Sequence, residues 1–245
     1  MPQSYEPLIR ASGIEKAWNE YFIRVYSPDK SVLVLPVEGE MSRSSYWNWG
    51  NEFLMRQLNA AAADSEIKAA VLRFNTPGGT ADSTPAFAQA VANFRKVKPI
   101  VAQTGYCYSA GYFVASQCNE IIVEDQAAGG VGSIGTLLIR ENYAEWLEAQ
   151  KIEMEIMRAK GSEDKALVNW IEKLPEEARA QLQASLDACQ REFVGFVKRG
   201  RAGKIKSDEV FTGKTYNASE AISMGLADAK GDLITAVKRV LALAA

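Results

Sequence analysis

Tyr106-Cys107-Tyr108-Ser109-Ala110-Gly111-Tyr112 sets a serine between two apolar stretches. Ile100-Val101-Ala102 before it reads as a buried strand, and Tyr112 to Cys118 after it as a buried helix. A serine at a strand-to-helix turn can expose its oxygen, and the N–H of the next residue, Ala110, can bind an oxyanion. Serine is also a common helix cap, so Ser109 alone decides little. The chain has no histidine. That excludes a Ser-His-Asp triad, and a nucleophilic serine then needs another base. Lysine is the usual substitute, neutral when burial lowers its pKa. Upstream, Asn75-Thr76-Pro77-Gly78-Gly79 ends another apolar run. A Pro-Gly-Gly turn after a strand leaves backbone N–H groups bare, and those of Gly78 and Gly79 are candidates for the second half of an oxyanion hole.

Other chemistries fit poorly. The glycine-rich stretch Ala127 to Gly135 is followed by neither of the usual phosphate-cradling patterns, so a loop with close backbone approach is expected. Cys107, Cys118 and Cys189 show no metal spacing, so no metal site and no cofactor are expected, and a reducing compartment is. The 28 basic and 30 acidic residues nearly cancel, and no nucleic-acid partner is expected. The short basic runs Lys198-Arg199-Gly200-Arg201 and Lys204-Ile205-Lys206 read as a solvated helix end. No apolar run reaches the ~18 residues of a membrane span, and the first residues lack a secretory pattern. The expectation is a protein without an integral membrane segment, located in the cytoplasm.

The elements that must position these residues alternate. Strands are predicted over residues 31–37, 67–74, 99–103 and 120–123, with a short strand or turn at 212–215. Helices are predicted over residues 46–63, 83–96, 175–198, 218–224 and 232–244, with a further helix at 141–149 and a strand-like segment at 152–157. Such alternation implies an α/β sheet with helical crossovers. Residues 1–30 read as an N-terminal arm with a short helix near Ile14 to Tyr21, and residues 31–245 as a single domain.

Five segments, in order, resemble the signal peptide peptidase A family of serine/lysine peptidases, which includes bacteriophage head-maturation proteases. Val34 to Gly39 resembles its opening strand, Asn75 to Gly79 its Pro-Gly-Gly segment and Ser109-Ala110-Gly111-Tyr112 its nucleophile motif. Gly132-Ser133-Ile134-Gly135 resembles its glycine-serine loop. Phe211 to Gly213, Ala218, Glu220-Ala221 and Gly225 to Asp228 resemble its C-terminal signature.

The resemblance implies an α/β fold of the ClpP/crotonase type, built of repeated β-β-α units with helical crossovers. It implies a serine endopeptidase acting on peptides or protein segments, in a bacterial cytoplasm or in association with a phage or prophage capsid. Ser109 would be the nucleophile, Gly78, Gly79 and Ala110 the oxyanion hole, and Ser133 a support for the base. The family's base is a lysine after a glycine, followed by Asn-Pro. Lys165, with Asn169 four residues on, is the first choice and Lys160 the second. One extra residue separates Gly161 from Lys165, and Trp170 stands where proline is usual. Glu163 and Asp164 place Lys165 in a polar stretch, so its desolvation would come from a neighbouring subunit. The expectation is a closed homo-oligomer with active sites between subunits, in which the 175–198 helix and the arm's Tyr21, Phe22 and Tyr26 either form contact surfaces or pack on the chain's own core. The alternatives are an inactive structural or phage-head relative and a crotonase-like acyl-CoA enzyme.

Overall fold

The computed structural model describes residues 13–45 and 48–245, so the first twelve residues of the expected arm and the expected helix start at Tyr46 lie outside the described residues. The chain divides into two compact units. One comprises the residues up to Gly135 together with Glu192–Ala245, and the other is Thr136–Arg191.

The first unit is built on a sheet. Its described strands are β1 (Val32–Glu38), β2 (Ala69–Thr76), β3 (Ile100–Tyr108), β4 (Glu120–Val123), β5 (Gly130–Gly132), β6 (Thr215–Tyr216) and β7 (Ala229–Lys230). They run in the order β1-β2-β3-β4-β7, parallel throughout. Parallel neighbours need crossovers. These are α2 (Asn51–Ala63), α3 (Thr84–Val97) and α4 (Ala110–Ala115). The α/β class with helical crossovers expected from the sequence is the one found.

Because helices cover both faces, the central strands are apolar on both sides. Val32, Val34, Val71, Val101 and Ile122 pack with Ala236, Val237 and Val240 of α8 (Leu233–Ala244). On the opposite face Leu33, Leu35, Leu72 and Phe74 join Leu54 and Leu58 of α2 and Phe87 and Val91 of α3. The expected helix near Ile14 to Tyr21 is α1 (Gly13–Tyr26). Its Phe22 is fully buried in this same core, and its Trp18 ring lies 5.6 Å from that of Phe53.

Two backbone features direct the carboxyl ends of the strands. Gly105 is an extra residue on β3, since Thr104 pairs with Phe74 and Tyr106 with Asn75. At this bulge β3 changes neighbour, from β4 at Val101 to Thr104 to β5 at Tyr106 to Tyr108. The glycine-rich stretch, expected as a loop, supplies β5. A side chain at Gly130, whose φ is +128°, would meet the Tyr216 carbonyl at 1.9 Å, so only glycine lets β6 pair there.

The C-terminal segments lock onto α4. The helix α6 (Glu176–Gly200) passes Phe193 and Phe196 against Phe113, with ring centroids 4.7 and 4.8 Å apart. Arg201 is not a solvated helix end: its side chain is fully buried. Its Nε and Nη2 donate to the Gly225 carbonyl at 3.1 and 2.8 Å, and Nη1 donates to Asp228 at 2.5 Å. Asp228 also accepts from Lys204 at 2.6 Å and from the Ile121 N–H at 2.8 Å. Burial acts to raise the Asp228 pKa, but Arg201, Lys204 and this N–H outweigh it and hold the carboxyl below its ordinary value. The short helix α7 (Ala218–Ser223) leads into this segment, closed at its start by a reciprocal Asn217–Glu220 capping box.

The second unit contains α5 (Ala144–Ala149) and the first part of α6. The expected strand at 152–157 does not form. Its apolar residues alternate, but it has no paired strand among the described residues, and Ile152, Met154 and Met157 are exposed. A two-residue period is only half the requirement for a strand; the other half is a partner for its backbone. Leu147 and Ala178 are the unit's buried apolar residues.

Removing one partner of a buried ion pair strands the other. Arg201→Met is expected to cost about 3–5 kcal/mol in urea unfolding. The stability from the lowered Asp228 pKa is present above the unfolded carboxyl's pKa and is lost as pH falls through the folded value. Arg201→Met should therefore also flatten the acid-side loss of stability, and an unchanged pH–stability curve would contradict this account.

Candidate active site

The site forms where β2 and β3 end side by side. Pairing of Thr76 with Cys107 sets the turn after β2 against the turn after β3. Ser109 occupies the second turn with φ 51° and ψ −121°, a conformation that an L-residue adopts only under constraint. Its N–H donates to the Gly132 carbonyl of β5 at 2.9 Å, and its own carbonyl accepts from Phe113 at 2.9 Å to open α4. The serine side chain caps nothing.

Gly78 lies directly against it. A Cβ built there would stand 2.6 Å from the Ser109 Cβ and 3.0 Å from the Ala110 nitrogen, and Gly78 has a φ of +105°. The Gly78 N–H donates to Thr76 Oγ1 at 3.0 Å, so Gly78 contributes space, not a free donor. Thr76 Oγ1 in turn donates to the Gly39 carbonyl at 2.5 Å, tying the turn to the end of β1. The segment after β1 then pairs with the turn, the Met41 N–H donating to Gly78 at 2.8 Å and the Thr80 N–H to Met41 at 2.9 Å. Gly79 sits between those two bonds with its N–H on the other edge. Neither the Gly79 nor the Ala110 N–H has an acceptor among the described residues. Ala110 is the first residue of α4, where intrahelical acceptors are lacking and the helix end carries partial positive charge.

The helix bearing this N–H is held from below. The Tyr112 hydroxyl donates to the Leu226 carbonyl at 2.9 Å, within the segment that Arg201 grips. Burial pushes the Tyr112 phenol far above its usual range, so it remains a neutral donor. Burial likewise pushes up the Cys107 thiol, inside the core beneath the site. Thr76 is the contact that sequence reasoning missed; its signal was a hydroxyl residue immediately before Pro-Gly-Gly.

Ser109, Gly78, Gly79 and Ala110 are thus brought together, and Ser133 follows the Gly132 carbonyl that holds Ser109. Ser133 is half-buried, with φ 54°, and its N–H donates to the Lys214 carbonyl at 2.7 Å. Lys165 and Lys160 belong to the second unit, and both are exposed. Among the described residues no group of three or more His, Cys, Asp or Glu could hold a metal, and no helix is long and apolar enough to cross a membrane.

Gly78→Ala adds a methyl where the backbone is left-handed and Ser109 is already in contact. A loss of about 1–3 kcal/mol in chemical denaturation is expected. Wild-type stability in this variant would show that the two turns are not as closely set as described.

Residues 92–245 match the peptidase family S49. The chain is 30% identical over 213 residues to the capsid assembly protease C of Escherichia phage lambda, covering 84% of this chain and 47% of that protein. It is 27% identical over 221 residues to protease 4 of Haemophilus influenzae, covering 87% of this chain and 35% of that protein. It therefore spans less than half the length of either relative. Among solved structures, an enoyl-CoA hydratase from Mycobacterium marinum aligns with 89% of each chain at 12% identity and a TM-score of 0.49. The family match takes in the Ser109 turn, the Gly132-Ser133 loop and the segment gripped by Arg201, and the chain belongs to peptidase family S49.

Proposed function

We propose that the protein is a serine endopeptidase that cleaves peptides or protein segments through an acyl-enzyme, with Ser109 as nucleophile and Lys165 as base. The observation that carries the reading is the strained Ser109 turn with two unclaimed N–H groups, of Gly79 and Ala110, in the adjoining backbone. Strain at a single residue persists where the surroundings over-determine it. Here Gly132, Gly78 and α4 do so from three sides.

In this mechanism neutral Lys165 takes the Ser109 proton as the serine oxygen attacks a peptide carbonyl. The Gly79 and Ala110 N–H groups bind the oxyanion. The leaving amine takes the proton from Lys165, the acyl-serine ester remains, and water activated by Lys165 hydrolyses it. Ser133 orients the lysine amine. The substrate is a protein, as the names of the phage and bacterial relatives suggest for those proteins. We place the activity in the cytoplasm or with a phage or prophage head.

We further propose that the active form is a closed homo-oligomer. Lys165 is exposed in the single chain, and a lysine base needs a dry surround. The second unit also exposes Leu137, Ile139, Trp146, Met157 and Trp170, apolar area that a second copy would cover.

Ser109→Ala should lower the rate of casein hydrolysis by on the order of 10⁴-fold or more with the fold intact. Lys165→Ala should do the same. Full activity in Ser109→Ala would remove the nucleophile assignment. Loss in Lys160→Ala with activity kept in Lys165→Ala would move the base to Lys160.

Light scattering should give a species several times the 26.8 kDa chain. Mixing the two inactive variants should restore activity if serine and lysine come from different subunits. A fully active monomer would rule the assembly out.

A further inference from the structure

Lys165 sits in a loop of polar residues with little apolar packing, yet its backbone is held from several directions. The Arg158 guanidinium reaches across seven residues to do it. Its Nε donates to the Lys165 carbonyl at 2.6 Å, and its Nη2 donates to the next carbonyl, of Ala166, at 3.1 Å. The other edge of the same plane meets Glu172, with Nη1 to Oε1 at 3.1 Å and Nη2 to Oε2 at 2.6 Å. Asn169 closes the figure. Its Nδ2 donates to the Ala166 carbonyl at 2.8 Å and to Glu172 Oε2 at 2.7 Å. Its Oδ1 accepts the N–H groups of Ile171 and Glu172 at 2.9 and 2.8 Å. Arg140 adds a second cation, its Nη2 donating to the Asn169 and Glu172 carbonyls at 2.5 and 2.8 Å.

This arrangement does something specific to Lys165. Two adjacent carbonyls held by one rigid planar fork fix the orientation of two successive peptide planes. The peptide planes on either side of Ala166 set its left-handed φ of 59°, which a non-glycine residue seldom takes unaided. With the carbonyl of Lys165 fixed on one side and its N–H donating to Ser162 at 3.0 Å on the other, the direction in which its side chain leaves the backbone is fixed too. Only 18% of the Arg158 side chain is exposed, although the two carbonyls it holds lie at the surface.

We propose that Arg158, Asn169 and Glu172 are positioning residues that hold the Lys165 backbone so that its amine is presented for proton transfer. The proposal rests on the reading of Lys165 as the base. It also gives Asn169 a physical task, because Asn169 is the residue that joins the Lys165–Ala166 turn to the carboxylate facing Arg158. Glu172 supports the same picture: the hydrogen bond from Arg158, then that from Asn169, holds its carboxyl below the ordinary range, so it stays ionised opposite the guanidinium.

The test uses the full chain in its native oligomeric state and separates positioning from folding. Arg158→Lys keeps the charge but cannot hold two carbonyls and a carboxylate in one plane. It should lower kcat by roughly 10- to 100-fold with KM changed less than about twofold, the pattern of a misplaced catalytic group. The thermal midpoint and oligomer size should stay near wild type. Acetylation of Lys165, followed by mass spectrometry across a pH series, should show an altered pH profile in Arg158→Lys, while Lys160 reacts as in wild type. Glu172→Gln, which retains the shape but not the charge opposite Arg158, should give the same pattern more weakly, and it answers the question if Arg158→Lys does not fold. Unchanged kcat with an unchanged Lys165 profile in these variants overturns the proposal. So does a loss of kcat that follows loss of the folded oligomer in both. Lys165→Ala, run in parallel, keeps the two readings apart: activity there sinks the base assignment and the proposal with it, whereas inactivity there beside full activity in Arg158→Lys and Glu172→Gln sinks the positioning role alone.

Discussion

The carboxyl ends of β2 and β3 must occupy nearly the same place, and much of the first unit follows from that crowding. Two parallel neighbours in this register bring their exit turns within contact distance, so one turn has to surrender its side chain. Gly78 does so, with a hypothetical Cβ only 2.6 Å from that of Ser109. The other turn then accepts a strained φ of 51° at a residue that is not glycine. Strain of this kind costs on the order of 1–3 kcal/mol and needs support from elsewhere. Thr76, Met41 and Gly132 supply it through hydrogen bonds with Gly78, Thr80 and Ser109, while the N–H groups of Gly79 and Ala110 have no acceptor among the described residues.

Support from below comes from the far end of the chain. Tyr112 fastens α4 to the Leu226 carbonyl, and Arg201 grips Gly225 and Asp228 on either side of it. A buried ion pair seldom adds net stability over apolar packing, but it tolerates little misregistration. It therefore suits a place where the start of a short helix has to stay fixed relative to the sheet. The C-terminal signature is thus part of the site's foundation, though no residue of it approaches Ser109 among the contacts that define the turn.

What could be read from the sequence divides along physical lines. The central strands were legible because burial on both faces makes each a short apolar run, as in Val32 to Val37. The Ser109 and Pro-Gly-Gly turns were legible because glycine, proline and serine report backbone geometry directly. β5 was not, because Gly130 is selected by the approach of Tyr216, and a glycine run reads as a loop until its neighbour is known. Arg201 was not, because charge in a basic run reads as solvated until its partner, 27 residues on, is found. The segment at 152–157 misled in the opposite sense, its alternation promising a strand for which the described residues offer no partner.

The two units meet their functional demands by different means. Around Ser109 precision comes from close packing, a sheet with helices on both faces and almost no freedom in the turn. Around Lys165 it comes from a hydrogen-bonded ring of Arg158, Asn169 and Glu172 with few buried apolar residues behind it. The contrast fits the chemistry proposed for each. A nucleophile's oxygen has to be placed to a fraction of an ångström beside fixed donors, which a rigid core does best. A lysine amine moves on a four-carbon stem and has to exchange protons, so what matters is the direction of the stem's root. A planar guanidinium holding the Lys165 and Ala166 carbonyls fixes that root.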